Sequence, residues 1–272
     1  MYIGCHVSIA GGVINAPQRA AEFGCEAMQI FTRSPQGGKA LELTDEICQE
    51  FKLRNTNFNI NEVVVHTPYY INFASSNNRI RYGSVSVVRD ELERASKLGA
   101  KFVMTHLGSA GELEQRQASD KVIEMLKKTL EGYEGVAELL IENSAGTGKI
   151  IGGDFSEIDY ILKNVGHPKL TGICMDTQHS FASGYDWHDF KNTIKKIDQE
   201  IGIDKIKLIH ANDSRTTLAS NKDRHEHIGK GNIGSEAFKN IVAFANNHEI
   251  TMIIETEHDF VKDDIKLLKS YR

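Results

Sequence analysis

Six short apolar runs in this chain each stop on an imidazole or a carboxylate. They are Glu62-Val-Val-Val-His66, Lys101-Phe-Val-Met-Thr-His106, Glu138-Leu-Leu-Ile-Glu142, Leu170-Thr-Gly-Ile-Cys-Met-Asp176, Lys205-Ile-Lys-Leu-Ile-His210 and Ile250-Thr-Met-Ile-Ile-Glu255. Asp176 is followed three residues later by His179, just before a Gly-rich turn. One Asp-x-x-His pair is an ordinary feature of polar loops, so the signal lies in the repetition. A polar connection further on adds Asp223-Arg-His225, whose outer members can point the same way from extended backbone. Pooled, the candidates are His66, His106, Glu142, Asp176, His179, His210, Asp223, His225 and Glu255. A single zinc takes about four ligands, so this set implies two or three metals. Imidazole and carboxylate without thiolate suit a multinuclear zinc or manganese hydrolytic site. Such a site lowers the pKa of a bound water from ~15.7 to about 7, and ions ~3.5 to 4 Å apart hold both the attacking and leaving oxygens of a phosphodiester displacement. Hydrolysis of a phosphate ester is the chemistry these residues suggest.

The elements that must position them alternate between strand-like and helix-like runs. Eight strands are predicted near 2–7, 26–31, 63–66, 101–106, 138–142, 170–176, 205–210 and 250–255. Most are continuous apolar runs, the pattern of parallel strands covered on both faces. Helical stripes fall between them: Val88, Leu92, Ala95 and Leu98; Val122, Met125, Leu126 and Leu130; Phe190, Ile194, Ile197 and Ile201; Phe238, Ile241, Val242 and Ala245. Spacings of three and four mark these as packing faces. The expectation is an α/β chain forming one (β/α)8 TIM barrel over residues 1–272, with the metal cluster at the C-terminal face of the strands, where such barrels carry their sites. Gly229-Lys-Gly-Asn-Ile-Gly234 matches a dinucleotide fingerprint but follows a polar loop, so it reads as the approach to a helix near Ser235, and no nucleotide cofactor is expected. The connection 211–234 is long for a structureless loop in such a domain, which marks it as functional.

The 272 residues are 40% hydrophobic and 25% charged, as in soluble globular proteins. No apolar run approaches the ~20 residues of a membrane span, and the N-terminus enters a strand at once, so a cytoplasmic location is expected. Four cysteines without a Cys-x-x-Cys pair read as reduced thiols. The formal charge of −5 gives no bulk attraction for nucleic acid, yet three divalent ions among four carboxylates would leave a positive cleft.

The chain closely resembles the endonuclease IV family of apurinic/apyrimidinic endonucleases, nearly end to end. The likeness is carried by His6-Val-Ser-Ile-Ala-Gly-Gly12, Ile30-Phe-Thr-Arg33, His66-Thr-Pro-Tyr-Tyr70, His106-Leu-Gly-Ser109, Ile141-Glu-Asn-Ser-Ala-Gly146, Met175-Asp-Thr-Gln-His179 with Gly184-Tyr-Asp186, His210-Ala-Asn-Asp-Ser214, and Asp223-Arg-His225 with Gly229 to Gly234. The resemblance implies a DNA-repair enzyme of the deoxyribonuclease IV type. It would hold three zinc ions (or manganese) and incise duplex DNA 5′ to abasic sites, leaving a 3′-hydroxyl, with 3′-phosphodiesterase activity besides. His66, His106 and Glu142 would hold the first ion; bridging Glu142, the catalytic carboxylate, with Asp176, His210 and Glu255 the second; His179, Asp223 and His225 the third. A metal-bound hydroxide would be the nucleophile. The implied DNA contacts are Tyr69, Tyr70, Arg33 and Gln36, and the enzyme would act as a monomer. The sequence departs from the family at Ser34-Pro-Gln-Gly-Gly38, where Gln36 replaces an inserted arginine and Arg33 or Lys39 is expected to compensate. His6 is read as support for the site. The alternatives are a divalent-metal sugar isomerase or epimerase on a related barrel, and a noncatalytic damaged-DNA binding protein.

Overall fold

A computed structural model describes residues 1–38 and 40–272; Lys39, named above as a compensating cation, lies outside the described residues. β1 (Ile3–His6) leads into α1 (Ala16–Phe23), β2 (Ala27–Ile30) into α2 (Asp45–Asn57), and β3 (Glu62–His66) into α3 (Asn78–Leu98). β4 (Phe102–Thr105) is followed by α4 (Gln115–Leu130), β5 (Glu138–Glu142) by α5 (Phe155–Val165), and β6 (Leu170–Asp176) by α6 (Thr177–Ala182) and α7 (Phe190–Glu200). After β7 (Ile206–His210) come the short strands β8 (Asp213–Ser214) and β9 (His225–Glu226), then α8 (Gly234–Asn247), β10 (Thr251–Ile254) and α9 (Val261–Tyr271).

Eight strands close into a barrel in the order β1-β10-β7-β6-β5-β4-β3-β2. Every neighbouring pair is parallel, as expected for strands linked through helices. Side chains alternate across each stave with a period of two. Ala27, Val64, Phe102, Met104, Leu140, Cys174, Leu208 and Ile253 fill the barrel interior, whereas their neighbours, such as Val63 and Val65, pack outward against the helices. Gly4 lets β1 sit close to β2, since a Cβ there would lie 1.7 Å from the Ala27 carbonyl oxygen.

The predicted helical stripes are buried as expected on α3, α4 and α8, and Ile197 is the buried centre of the α7 stripe. Two local features differ from the sequence expectation. Residues after Asp176 turn at once into the short helix α6, and the 211–234 connection contains an antiparallel ribbon of β8 with β9. No helix among the described residues is long and apolar enough to cross a membrane.

Candidate metal centre

Two residues along each stave from the apolar interior layer, the period of two delivers a second layer to the open C-terminal end. Val64 is followed by His66, Met104 by His106, Leu140 by Glu142, Cys174 by Asp176, Leu208 by His210 and Ile253 by Glu255. His106 and Glu255 fall one residue past the strand ends but stay in line. The same parity places His6 and Gln29 on the remaining two staves.

Within this layer and the loops above it, three groups each bring their ligand atoms within 4.8 Å of one another: His66, His106 and Glu142; Glu142, Asp176, His210 and Glu255; and Asp176, His179 and His225. Glu142 joins the first two. Its Oε2 lies 3.2 Å from His106 Nε2 and 3.9 Å from His66 Nε2, while its Oε1 lies 3.0 Å from His210 Nδ1. Asp176 joins the second and third. It is the N-cap of α6, accepting the His179 N–H through Oδ1 at 2.7 Å. That capping bond explains the Asp-x-x-His spacing, and it leaves Oδ2 facing His225 Nε2 at 3.7 Å and His210 Nδ1 at 4.0 Å. Asp223 approaches from the solvent side, 3.4 Å from both His179 Nε2 and His225 Nε2.

The donor set fits divalent cations. Glu142 Oε2 and His225 Nε2 are buried without a hydrogen-bond partner, and such orphans call for an explanation. Two buried imidazoles are tied back on the far side, His66 by Nδ1 donating to the Thr67 carbonyl at 2.5 Å and His179 by Nδ1 donating to the Asn143 carbonyl at 3.0 Å, so in each it is Nε2 that faces the site. Asn212 steadies the carboxylates, donating to Asp176 Oδ2 at 2.6 Å and to Glu255 Oε2 at 3.2 Å.

The electrostatics follow from the same packing. Burial pushes His66 down to about 4 and His6 down to about 3. Burial also favours neutral His179, but Asp176, Asp223 and Glu142 overcome it and hold the imidazole well above its ordinary value. Burial works against charged His210 as well, and Cys174, Glu255 and Glu142 overcome it and raise the imidazole well above its ordinary value. Burial works against ionised Glu142 and Glu255, yet the surrounding imidazoles keep both well below the usual carboxylate range. The layer is therefore a nest of charge balanced internally.

A cleft of about 510 Å³ opens over the layer and is bounded on one side by Arg215, Arg224 and His225. An adjoining hollow of about 400 Å³ shares Tyr69, His106, His179 and Asp223 with it. The ribbon loop that supplies His225 is fixed by Asp213, whose carboxylate accepts backbone N–H bonds from Ser214 (2.7 Å), Gly229 (2.9 Å), Gly231 (3.1 Å), Ile233 (2.9 Å) and Gly234 (3.2 Å). The Gly-x-Gly-x-x-Gly run thus cradles an anion of the chain itself. A Cβ at Gly231 would lie 2.5 Å from Asp213 Oδ1.

Residues 17–271 match the family model described as "Xylose isomerase-like TIM barrel". The "Probable endonuclease 4" of Cenarchaeum symbiosum is 36% identical over 283 residues, covering 100% of this chain and 99% of that protein. Its counterpart in Campylobacter concisus is 37% identical, covering 99% and 97%. The chain belongs to the endonuclease IV family. The crystal structure of endonuclease IV from Thermus thermophilus superposes with a TM-score of 0.89 at 28% identity, covering 100% of this chain and 98% of that one. A D-tagatose 3-epimerase-like protein shares the fold alone, with a TM-score of 0.75 at 22% identity.

Set against this endonuclease IV framework, all nine sequence-predicted ligands converge on one basin, with Asp176 taking a place in the third group beside His179 and His225. Tyr69 and Tyr70 stand beside the cleft, 64% and 41% exposed, and Gln36 is exposed on the loop after β2. The Arg33 guanidinium pairs with Glu91 and Asp90 of α3, and its side chain is 9% exposed. Sequence reasoning missed Gln29, Asn143 and Asn212. Asn143 and Asn212 follow candidate ligands by one and two residues, which is the signal that marks them; Gln29 shares the inward parity of Ala27.

Proposed function

We propose that this chain is a DNA-repair endonuclease that hydrolyses the phosphodiester 5′ to abasic sites in duplex DNA, leaving a 3′-hydroxyl, and that it also clears blocked 3′ ends. The observation that carries this reading is the pair of shared carboxylates, Glu142 and Asp176, which link three ligand groups at the open end of the barrel beside two exposed tyrosines. The names of its relatives and of the Thermus structure support the same class.

In this reading three zinc ions would be held by His66, His106 and Glu142; by Glu142, Asp176, His210 and Glu255; and by His179, His225, Asp223 and Asp176. When bound, such ions acidify coordinated water and offset charge on a phosphate. The chain's own residues do the rest. Glu142 fixes the spacing of the first two groups, and Asp176, held by the α6 cap, that of the second and third. Tyr69 and Tyr70 offer aromatic faces to a base step disrupted by the missing base, where unstacking costs least. Arg215 and Arg224 give the wall of the cleft cations for the DNA backbone. The protein acts as a monomer inside the cell.

The test is a labelled duplex carrying one tetrahydrofuran abasic analogue, incubated with zinc-loaded protein with and without chelator. Incision 5′ to the analogue, a polymerase-extendable 3′ end, and loss of activity with chelator are expected. Binding without chelator-sensitive incision would replace the enzyme by a binding protein, and turnover of a ketohexose without DNA incision would favour the epimerase alternative.

A further inference from the structure

All eight staves contribute one side chain to the layer beneath the cleft, and Gln29 is the single neutral amide among His6, His66, His106, Glu142, Asp176, His210 and Glu255. It is fully buried. Its orientation follows from chemistry. The Gln29 Nε2 atom lies 2.6 Å from Glu255 Oε1, and an ionised carboxylate only accepts, so the amide nitrogen must face it. The second amide hydrogen then points at His6 Nδ1, 3.1 Å away, which places the His6 proton on Nε2. Gln29 Oε1 is left 2.8 Å from His210 Nε2, and that nitrogen must therefore carry hydrogen.

The consequence is specific to His210. His66 and His179 donate Nδ1–H to backbone carbonyls and present Nε2 to the site. His210 presents Nδ1 instead, 3.0 Å from Glu142 Oε1 and 3.1 Å from Glu255 Oε2. Of these three imidazoles, His210 alone has its outward nitrogen held by a side chain.

We propose that Gln29 is the positioning residue of the middle cation group. Its carbonyl keeps the His210 proton on Nε2, which makes Nδ1 the ligating nitrogen, and its amide turns Glu255 so that Oε2 faces the same point. This rests on the metal reading above. A glutamate at 29 would retain the acceptor for His210 but lose the donor to Glu255, whereas a methionine of similar length would lose both.

The experiment compares zinc-loaded wild type, Gln29→Met and Gln29→Glu. Long-range proton–nitrogen correlation on histidine-labelled protein reads the His210 tautomer, and competition with a chromophoric chelator reads zinc affinity. In wild type, His210 is expected to carry its proton on Nε2. In Gln29→Met one zinc should bind roughly 10- to 100-fold more weakly, the range seen when a group orienting a ligand is removed, with the others unchanged. Gln29→Glu should keep the tautomer and fall between the two in affinity. A wild-type His210 protonated on Nδ1, or a Gln29→Met protein holding every zinc at wild-type affinity, overturns the proposal. If the methionine variant folds poorly, the wild-type spectrum and the glutamate variant still decide it. A wild type that binds no zinc would remove the metal reading as well, while normal zinc binding with an indifferent Gln29→Met would remove only the role of Gln29.

Discussion

Replacing Glu142 by Gln keeps the shape of the side chain and removes the charge shared by two ligand groups. The residue is 1% exposed, its Oε1 lies 3.0 Å from His210 Nδ1, and its Oε2 lies 3.2 Å from His106 Nε2. Removing one partner from a buried charged pair costs about 3–5 kcal/mol. At about 1.4 kcal/mol per factor of ten, that is roughly two to four powers of ten in cation affinity. Because Glu142 belongs to both groups, the loss should fall on two ions together. Zinc affinity is read by chelator competition, and incision of the abasic duplex by denaturing gel at the free zinc that just loads the wild type. Incision should fall by about 10³-fold or more, since on the proposed reading two cations that would acidify water and offset phosphate charge are weakened at once. A variant that retains all its zinc under chelator and cuts within about threefold of wild type would show that the shared carboxylate is not a ligand, and the reasoning from its two oxygens would fail.

Tyr69→Ala should weaken binding to the abasic duplex by roughly 1–3 kcal/mol, the scale of one base stacked on an aromatic ring, with zinc content unchanged; loss of zinc would make the tyrosine a structural part of the basin. Arg94 holds the loop after β2 at both ends, donating to Thr32 O at 2.7 Å and Leu41 O at 2.8 Å. Arg94→Leu should raise KM for abasic duplex by about tenfold with kcat and zinc retained, since releasing that loop costs on the order of 1.4 kcal/mol of binding, and an unchanged KM would exclude the loop from the DNA surface. Glu26 offers a pH test far from the cleft. Burial favours its neutral form, but Arg272, Lys269 and the Ile3 N–H bring its pKa down from 4.5 to about 2. A depressed carboxylate contributes stability that is complete above its unfolded value and disappears as pH falls through its folded one. The urea-midpoint advantage of wild type over Glu26→Gln should therefore shrink as pH drops from about 4.5 towards 2, and an advantage independent of pH would refute the pairing.

The barrel and most of the basin were legible because strand periodicity is a local property. Val64 and His66 point the same way whatever the rest of the chain does, and the same holds for Leu140 with Glu142 and Leu208 with His210. Gln29 obeys that rule too, but a search for ionisable terminators passes over an amide. The pairing of Arg33 was not legible, because its partners Asp90 and Glu91 lie 57 and 58 residues away and reach it only once α3 packs against the loop after β2. The double duty of Asp176 was hidden for a similar reason. Its spacing to His179 reads equally as a loop or as a helix start, and only the capping bond at Oδ1 shows that Oδ2 remains for the third group.

The glycine cradle around Asp213 means that the ribbon loop is a receptor packaged with its own occupant. The curvature that brings His225 over the basin is set by an internal counter-anion, so it does not wait for a substrate phosphate or a cation to induce it. Truncating that carboxylate would leave five convergent amides lining a hole the size of a formate or acetate ion. Small carboxylates added from solution would then restore the loop by chemical complementation, separating the architecture of the ribbon from the chemistry it serves.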